Sequence, residues 1–137
     1  MMTFVRSAGV CLLSLVLWTI ALWASPASIS SLSVAPSGLA SGTPSPLLFS
    51  AVIADSNVIP VSVNLQRRTA EGTFTNISRL YDDGTHGDAK SGDGIYSVSL
   101  TLTESAGPVV FRVSAAAKGS LSRLFSDPVP VTIAARS

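Results

Sequence analysis

Residues 81–97 read YDDGTHGDAKSGDGIYS and contain Asp82, Asp83, Asp88 and Asp93, four of the chain's eight acidic residues, together with its single histidine, His86. Carboxylates are hard oxygen donors, and four in one short segment repel. Two unit charges about 4 Å apart cost about 1 kcal/mol in water and more when partly buried. Gly84, Gly87, Gly92 and Gly94 let the backbone take positive φ, so carbonyls and carboxylates can turn inward. Calcium suits such a set, because it accepts about six to eight oxygens in irregular geometry. The spacing is not that of an EF-hand: counted from Asp88, the third position is Lys90, the fifth is Gly92, and no glutamate closes the loop. Two readings stay open. In one, Asp82, Asp83, Asp88 and Asp93 hold calcium. In the other there is no ion: the side chains cap loop amides, and Lys90 or His86 offsets part of the charge.

The same segment supplies the only candidates for nucleophilic chemistry, with His86 as base beside Asp83 or Asp88 and Thr85 or Ser91 as nucleophile. That chemistry needs a base oriented on a rigid element next to a pocket. A glycine-rich loop is a poor mount for one, and a single histidine cannot build a His-rich zinc site. The residues point away from an enzyme and towards a binding or structural role.

Strands must position this loop. In YSVSLTLT, residues 96–103, Tyr96, Val98, Leu100 and Leu102 alternate with Ser and Thr, as a strand with one face in a core and one in water requires. Val61, Val63 and Leu65 alternate in the same way, while LLFSAVIA at 47–54 is apolar on both faces and reads as a central strand. Further strands are expected at 29–35, at 74–81 as an edge, at 108–117 and at 128–134, where Pro128 and Pro130 imply a sheet edge. No window sustains helical periodicity. About seven short strands with intervening turns predict an all-β, immunoglobulin-like two-sheet β-sandwich over 28–137. Its core is expected from Phe49, Val52, Val63, Leu65, Tyr96, Val98, Leu100, Phe111, Val113, Val131 and Ile133. Successive loops of such a sandwich alternate between its poles. The acidic loop therefore shares a pole with the loops at 55–57 and 118–120, which makes Asp55 and Asn57 supporting candidates.

The string LYDDGTHGDAKSGDGIYSVSL, from Leu80 to Leu100, resembles the recurring D-D-G-x-x-G-D-x-x-x-G-D-G-x-Y segment of bacterial extracellular immunoglobulin-like domains, including those of choice-of-anchor X-type proteins. A related pattern occurs in the fibronectin-like domain of calcium-activated chloride channel regulators. The resemblance implies a sandwich module on a secreted or surface protein, with Tyr96 opening a core strand, and it carries no catalytic role across.

The chain opens with Arg6, an uncharged apolar run from Ala8 to Ala24 and a small-residue segment ending SPA, the pattern of a secretory signal peptide over 1–27. Its apolar run also sits at the lower edge of what spans a bilayer, so an uncleaved anchor is the alternative and the one expected membrane contact. Cys11, Trp18 and Trp23 fall inside it, which leaves the remainder without cysteine or tryptophan. Without Arg6, eight basic residues face eight acidic ones, and no basic stripe is available to grip nucleic acid. The expected protein is an exported, secreted, periplasmic or cell-surface module for structure, adhesion or protein interaction. The alternative is a carbohydrate-binding sandwich, which an exposed cluster of Phe74, Tyr81 and Phe125 would favour. Expressed with a C-terminal tag in a bacterium, the chain is expected outside the cytoplasm with Ser28 as its first residue by N-terminal sequencing. An unprocessed cytoplasmic chain refutes the leader.

Overall fold

The computed structural model describes residues 28–136; the expected signal helix of 1–27 lies outside them. The described chain is all-β with two facing sheets. The smaller has the order β1 (Ser33–Ala35), β3 (Ser45–Val52), β6 (Ile95–Leu102). The larger runs β2 (Gly38–Ala40), β9 (Val129–Ala134), β7 (Gly107–Ala115), β4 (Asn64–Arg68), β5 (Phe74–Arg79), with the two-residue β8 (Leu124–Phe125) also pairing with β7.

Period-two alternation builds the layer between the sheets. On β3, Leu47, Phe49 and Ala51 face in, and Ile53 continues the series just past the strand end. On β7 the inward set is Val109, Phe111, Val113 and Ala115; on β6 it is Tyr96 and Val98, and on β9 Val131 and Ile133. Phe49 and Phe111 meet across the sheets with ring centroids 4.9 Å apart at 62°, an edge-to-face contact favoured by the ring quadrupoles. Leu80, fully buried at the mouth of the acidic loop, anchors that loop to the core.

Several sequence expectations are corrected. Val52 is 43% exposed, and Ile53 takes the core position. LLFSAVIA is apolar on both faces, so its composition does not set which residues face inward. Leu100 is only partly buried, packed against the edge of the core. Val61 lies in a 3-10 turn at Pro60–Ser62 and is 66% exposed, because Pro60 leads the chain into a turn before β4 begins at Asn64. The segment after Ala35 is not all turn: the chain crosses to the other sheet, and β2 pairs in parallel with β9. β9 is thus not an edge along its whole length. Pro130 pairs opposite Val110, while β2 reaches only Thr132, Ile133 and Ala134, so the missing proline donor falls where β9 has one neighbour. The described residues form nine strands where about seven were expected, because the segments at 33–40 and 124–134 each form two short strands.

Phe111→Ala is expected to lower unfolding free energy by about 3–5 kcal/mol in urea denaturation, whereas Val52→Ala stays within about 0.5 kcal/mol. Equal losses would contradict the assigned face of β3.

Candidate functional site

The acidic loop lies along the free edge of β6. Tyr81 and Ser97 exchange backbone hydrogen bonds, with N···O distances of 2.9 and 2.8 Å, and the Ser99 amide donates to the His86 carbonyl at 2.7 Å. Gly87 (φ +99°) makes this approach possible, since a Cβ there would sit 3.0 Å from Leu48 Cδ1 and 3.1 Å from Ser99 Cβ.

The carboxylates then shape the loop. Asp82 Oδ1 accepts the amides of Gly92 (3.0 Å) and Asp93 (3.2 Å), and its Oδ2 accepts that of Gly94 (3.1 Å). Asp88 Oδ2 accepts the Gly84 amide at 2.8 Å, and Asp93 Oδ1 the Ile95 amide at 2.9 Å. Asp83 turns outward to the amide and hydroxyl of Thr85. Every aspartate of the loop thus has a backbone task, as turn chemistry requires.

Three of them also converge. Asp82, Asp88 and Asp93 each present an oxygen within 4.8 Å of the other two. Asp83 is outside this group. Asp55 reaches the same pole, as expected: it lines a cleft of about 370 Å³ with Asp82, Asp93, Gly94 and Tyr96. Its Oδ1 accepts the Asn57 amide at 2.9 Å, and Asp55 is not one of the three converging carboxylates. The 118–120 loop is a neighbour too, through the Lys118 amide and the Asn57 carbonyl at 2.8 Å. Neither Lys90 nor His86 forms an ion pair with the loop's carboxylates; among the described residues the one ion pair is Arg67 with Glu104.

Burial raises the Asp82 pKa above its ordinary 3.8, and the Asp93 carboxyl and the Asp88 charge push the same way against the Gly94 and Asp93 amides. Asp83 is shifted down, chiefly by the Thr85 hydroxyl. Tyr96 is raised by burial and then by the Asp82 charge.

His86 holds a left-handed backbone at φ 59° and stacks on Tyr81 with ring centroids 3.9 Å apart and planes at 12°. Its Nδ1 lies 2.6 Å from Thr85 Oγ1, and that hydroxyl is bonded to Asp83. A hydroxyl has one proton. When Thr85 donates it to Asp83, it can only accept from His86, whose Nδ1 then carries hydrogen.

A second surface lies on the outer face of the larger sheet; the sequence offered its Phe74 and Phe125 and not the arginine they share. The Arg112 guanidinium sits between Phe74 and Phe125, 3.9 and 4.1 Å from the ring centroids. Its Nε donates to Gln66 Oε1 at 2.7 Å, and Gln66 Nε2 donates to Asn76 Oδ1 at 2.8 Å. Neighbours Phe111 and Val113 are buried, so Arg112 faces away from the core. The signal was one arginine in an apolar strand; its aromatic partners come from β5 and β8, far off in sequence. Tyr81 does not join Phe74 and Phe125, being stacked on His86.

The chain matches no family model and no curated protein.

The pKa directions fix signs. Asp82 binds its proton more tightly folded than unfolded, so its contribution to stability is fullest below pH 3.8 and is lost as pH rises through the folded value. Asp83 does the opposite: its contribution is present above 3.8 and lost as pH falls through its depressed value. In a carbon-13 NMR titration in chelator, the Asp83 carboxyl is expected to titrate below 3.8 and that of Asp82 above it. The reverse order would contradict the loop geometry.

Proposed function

We propose that the chain is a non-catalytic, exported β-sandwich module that binds a protein partner through the outer face of its larger sheet. The observation that carries this reading is the Arg112 guanidinium held between Phe74 and Phe125, with Phe125 itself 49% exposed. Arginine and aromatic side chains are enriched where protein interfaces draw their energy, since each brings apolar area, a polar handle and little flexibility. The terminal nitrogens of Arg112 make no hydrogen bond among the described residues, so its donors remain for a ligand.

Charge selects the partner. The strands β4, β5, β7 and β8 contain no aspartate or glutamate; Arg67, opposite the inward-facing Phe111, pairs with Glu104, which leaves Arg68 and Arg112 on the outer face. An acidic surface patch complements them.

The non-catalytic part rests on the order of contacts Asp83, Thr85, His86. A triad needs the carboxylate on the base and the base on the hydroxyl. Here the carboxylate is on the hydroxyl, and the imidazole donates to it. Carbohydrate binding is the second reading, favoured by the exposed Phe125 ring beside the polar row of Arg112, Gln66 and Asn76.

The test uses cells of the source organism lacking the protein, to which purified protein is added. Binding is expected to be lost on mild protease treatment of the cells and to weaken at least about tenfold in Arg112→Ala with Phe125→Ser, at unchanged melting temperature. Binding removed by periodate and not by protease would establish the glycan reading instead. Undiminished binding by the double variant would overturn the sheet face altogether.

A further inference from the structure

We propose that Asp82, Asp88 and Asp93 form a calcium site at the loop pole, independent of the sheet face. The three carboxylates offer oxygens within 4.8 Å of one another, a span a single cation bridges. An acidic cluster alone means little. The second observation is Asp88: the residue is only 6% exposed, and its Oδ1 is buried without any hydrogen-bond partner while its Oδ2 is taken by the Gly84 amide. A buried carboxylate oxygen left unpaired is costly, and native structures seldom leave one. Protein cations do not relieve it, since no lysine, arginine or histidine pairs with these three residues among those described.

The loop is arranged to keep the oxygens together. Asp82 ties both its oxygens to the amides of residues 92–94, and Asp93 uses Oδ1 on Ile95. Those bonds orient the carboxylates through the backbone; Asp82 Oδ1 is filled by two amides, whereas Asp82 Oδ2 and Asp93 Oδ1 each accept one and keep a lone pair. The donors are all oxygen, which excludes the soft metals by preference and favours calcium or magnesium. Three carboxylates fall short of calcium's usual number, and the cleft lined by Asp82, Asp93 and Gly94 admits water to complete it. Magnesium demands near-ideal octahedral geometry, which a loop shaped by backbone amides does not supply.

Terbium, which replaces calcium among oxygen ligands and emits when an excited tyrosine lies near, is the probe. Tyr96 lines the same cleft, and residues 28–137 contain no tryptophan to compete. The exported protein is expected to show tyrosine-sensitised terbium emission that calcium displaces, and calcium is expected to raise its melting temperature relative to chelator. Asp88→Asn, which keeps size, weakens terbium binding at least about tenfold, whereas Asp83→Asn, Asp55→Asn and Arg112→Ala change it less than about twofold. Tyr96→Phe dims the emission while leaving the calcium shift in melting temperature. Identical melting curves in calcium and chelator with no sensitised emission would overturn the site. Full affinity in Asp88→Asn would also overturn it, showing diffuse carboxylate binding. Magnesium competing as well as calcium would overturn the choice of ion. Because Arg112→Ala keeps the terbium signal, failure of the sheet-face reading and failure of this site are separable.

Discussion

The edge-to-face contact of Phe49 with Phe111 joins the two sheets, and the rest of the architecture takes its phase from that pair. Once both rings point inward, period-two geometry assigns Leu47 and Ala51 to the core with Phe49, and Val109, Val113 and Ala115 with Phe111. Hydrogen bonding then passes the register sideways, from β3 to β6 at Phe49 opposite Val98 and from β7 to β4 at Val113 opposite Leu65. A slip by one residue would turn Val98 or Leu65 into water, so register and core enforce each other. Residues 28–137 contain no cysteine to cross-link them. Packing must do what a disulfide does in many small secreted domains.

The acidic loop depends on the same packing at one remove. Leu80 is fully buried, and directly after it Tyr81 pairs with Ser97 on β6. The loop therefore starts from a fixed point, and it returns to one at Gly94, whose carbonyl accepts the Ile53 amide at 2.9 Å. Between these points it covers the outer edge of β6 through the His86 carbonyl. Covering an edge removes a template for unwanted strand pairing. The loop's geometry is thus set by the needs of the sheet, and the turn chemistry of its aspartates serves that geometry.

Alternation made β6 and β7 legible in the sequence, since polar and apolar residues take turns along much of each. It failed in LLFSAVIA, where either phase buries hydrophobic residues and only the pairing with β6 decides for Ile53 over Val52. It failed at Val61 because a proline turn can mimic the start of a strand. β2 was illegible: Gly38–Ala40 is short, and its parallel partner β9 lies near the other end of the chain. In the loop, the shared pole of residues 55–57 and 82–94 followed from strand order alone. Which aspartates converge did not. Asp83 is drawn away by Thr85 two residues on and Asp55 by Asn57 two residues on, local bonds that compete with any cluster and depend on φ and ψ that composition does not specify. The Arg112 stack needed β4 to pair with both β5 and β7, and β8 to pair with β7, before it could exist.

Near-neutral net charge hides a division of charge. No strand contains an aspartate or glutamate; all eight acidic residues are in loops, whereas Arg67, Arg68, Arg79 and Arg112 are in strands. The physical reason differs for the two signs. A short carboxylate on a strand faces either the core, where an unpaired charge is very costly, or an outer face with few amides free to donate to it. In a loop the same group satisfies amides that no ladder reaches, as Asp82 does for three residues in succession. An arginine can lie along a sheet, because its stem covers apolar surface while its planar head stacks on rings, as that of Arg112 does on Phe74 and Phe125. The exception supports the rule: Arg67 pairs with Glu104, and that glutamate comes from a loop. Acid therefore gathers at the turns and base on the sheet, and the screening length of about 8 Å in physiological salt keeps distant regions of surface from cancelling one another. A chain with almost no net charge consequently carries a locally anionic loop and strands that hold arginine and no acid.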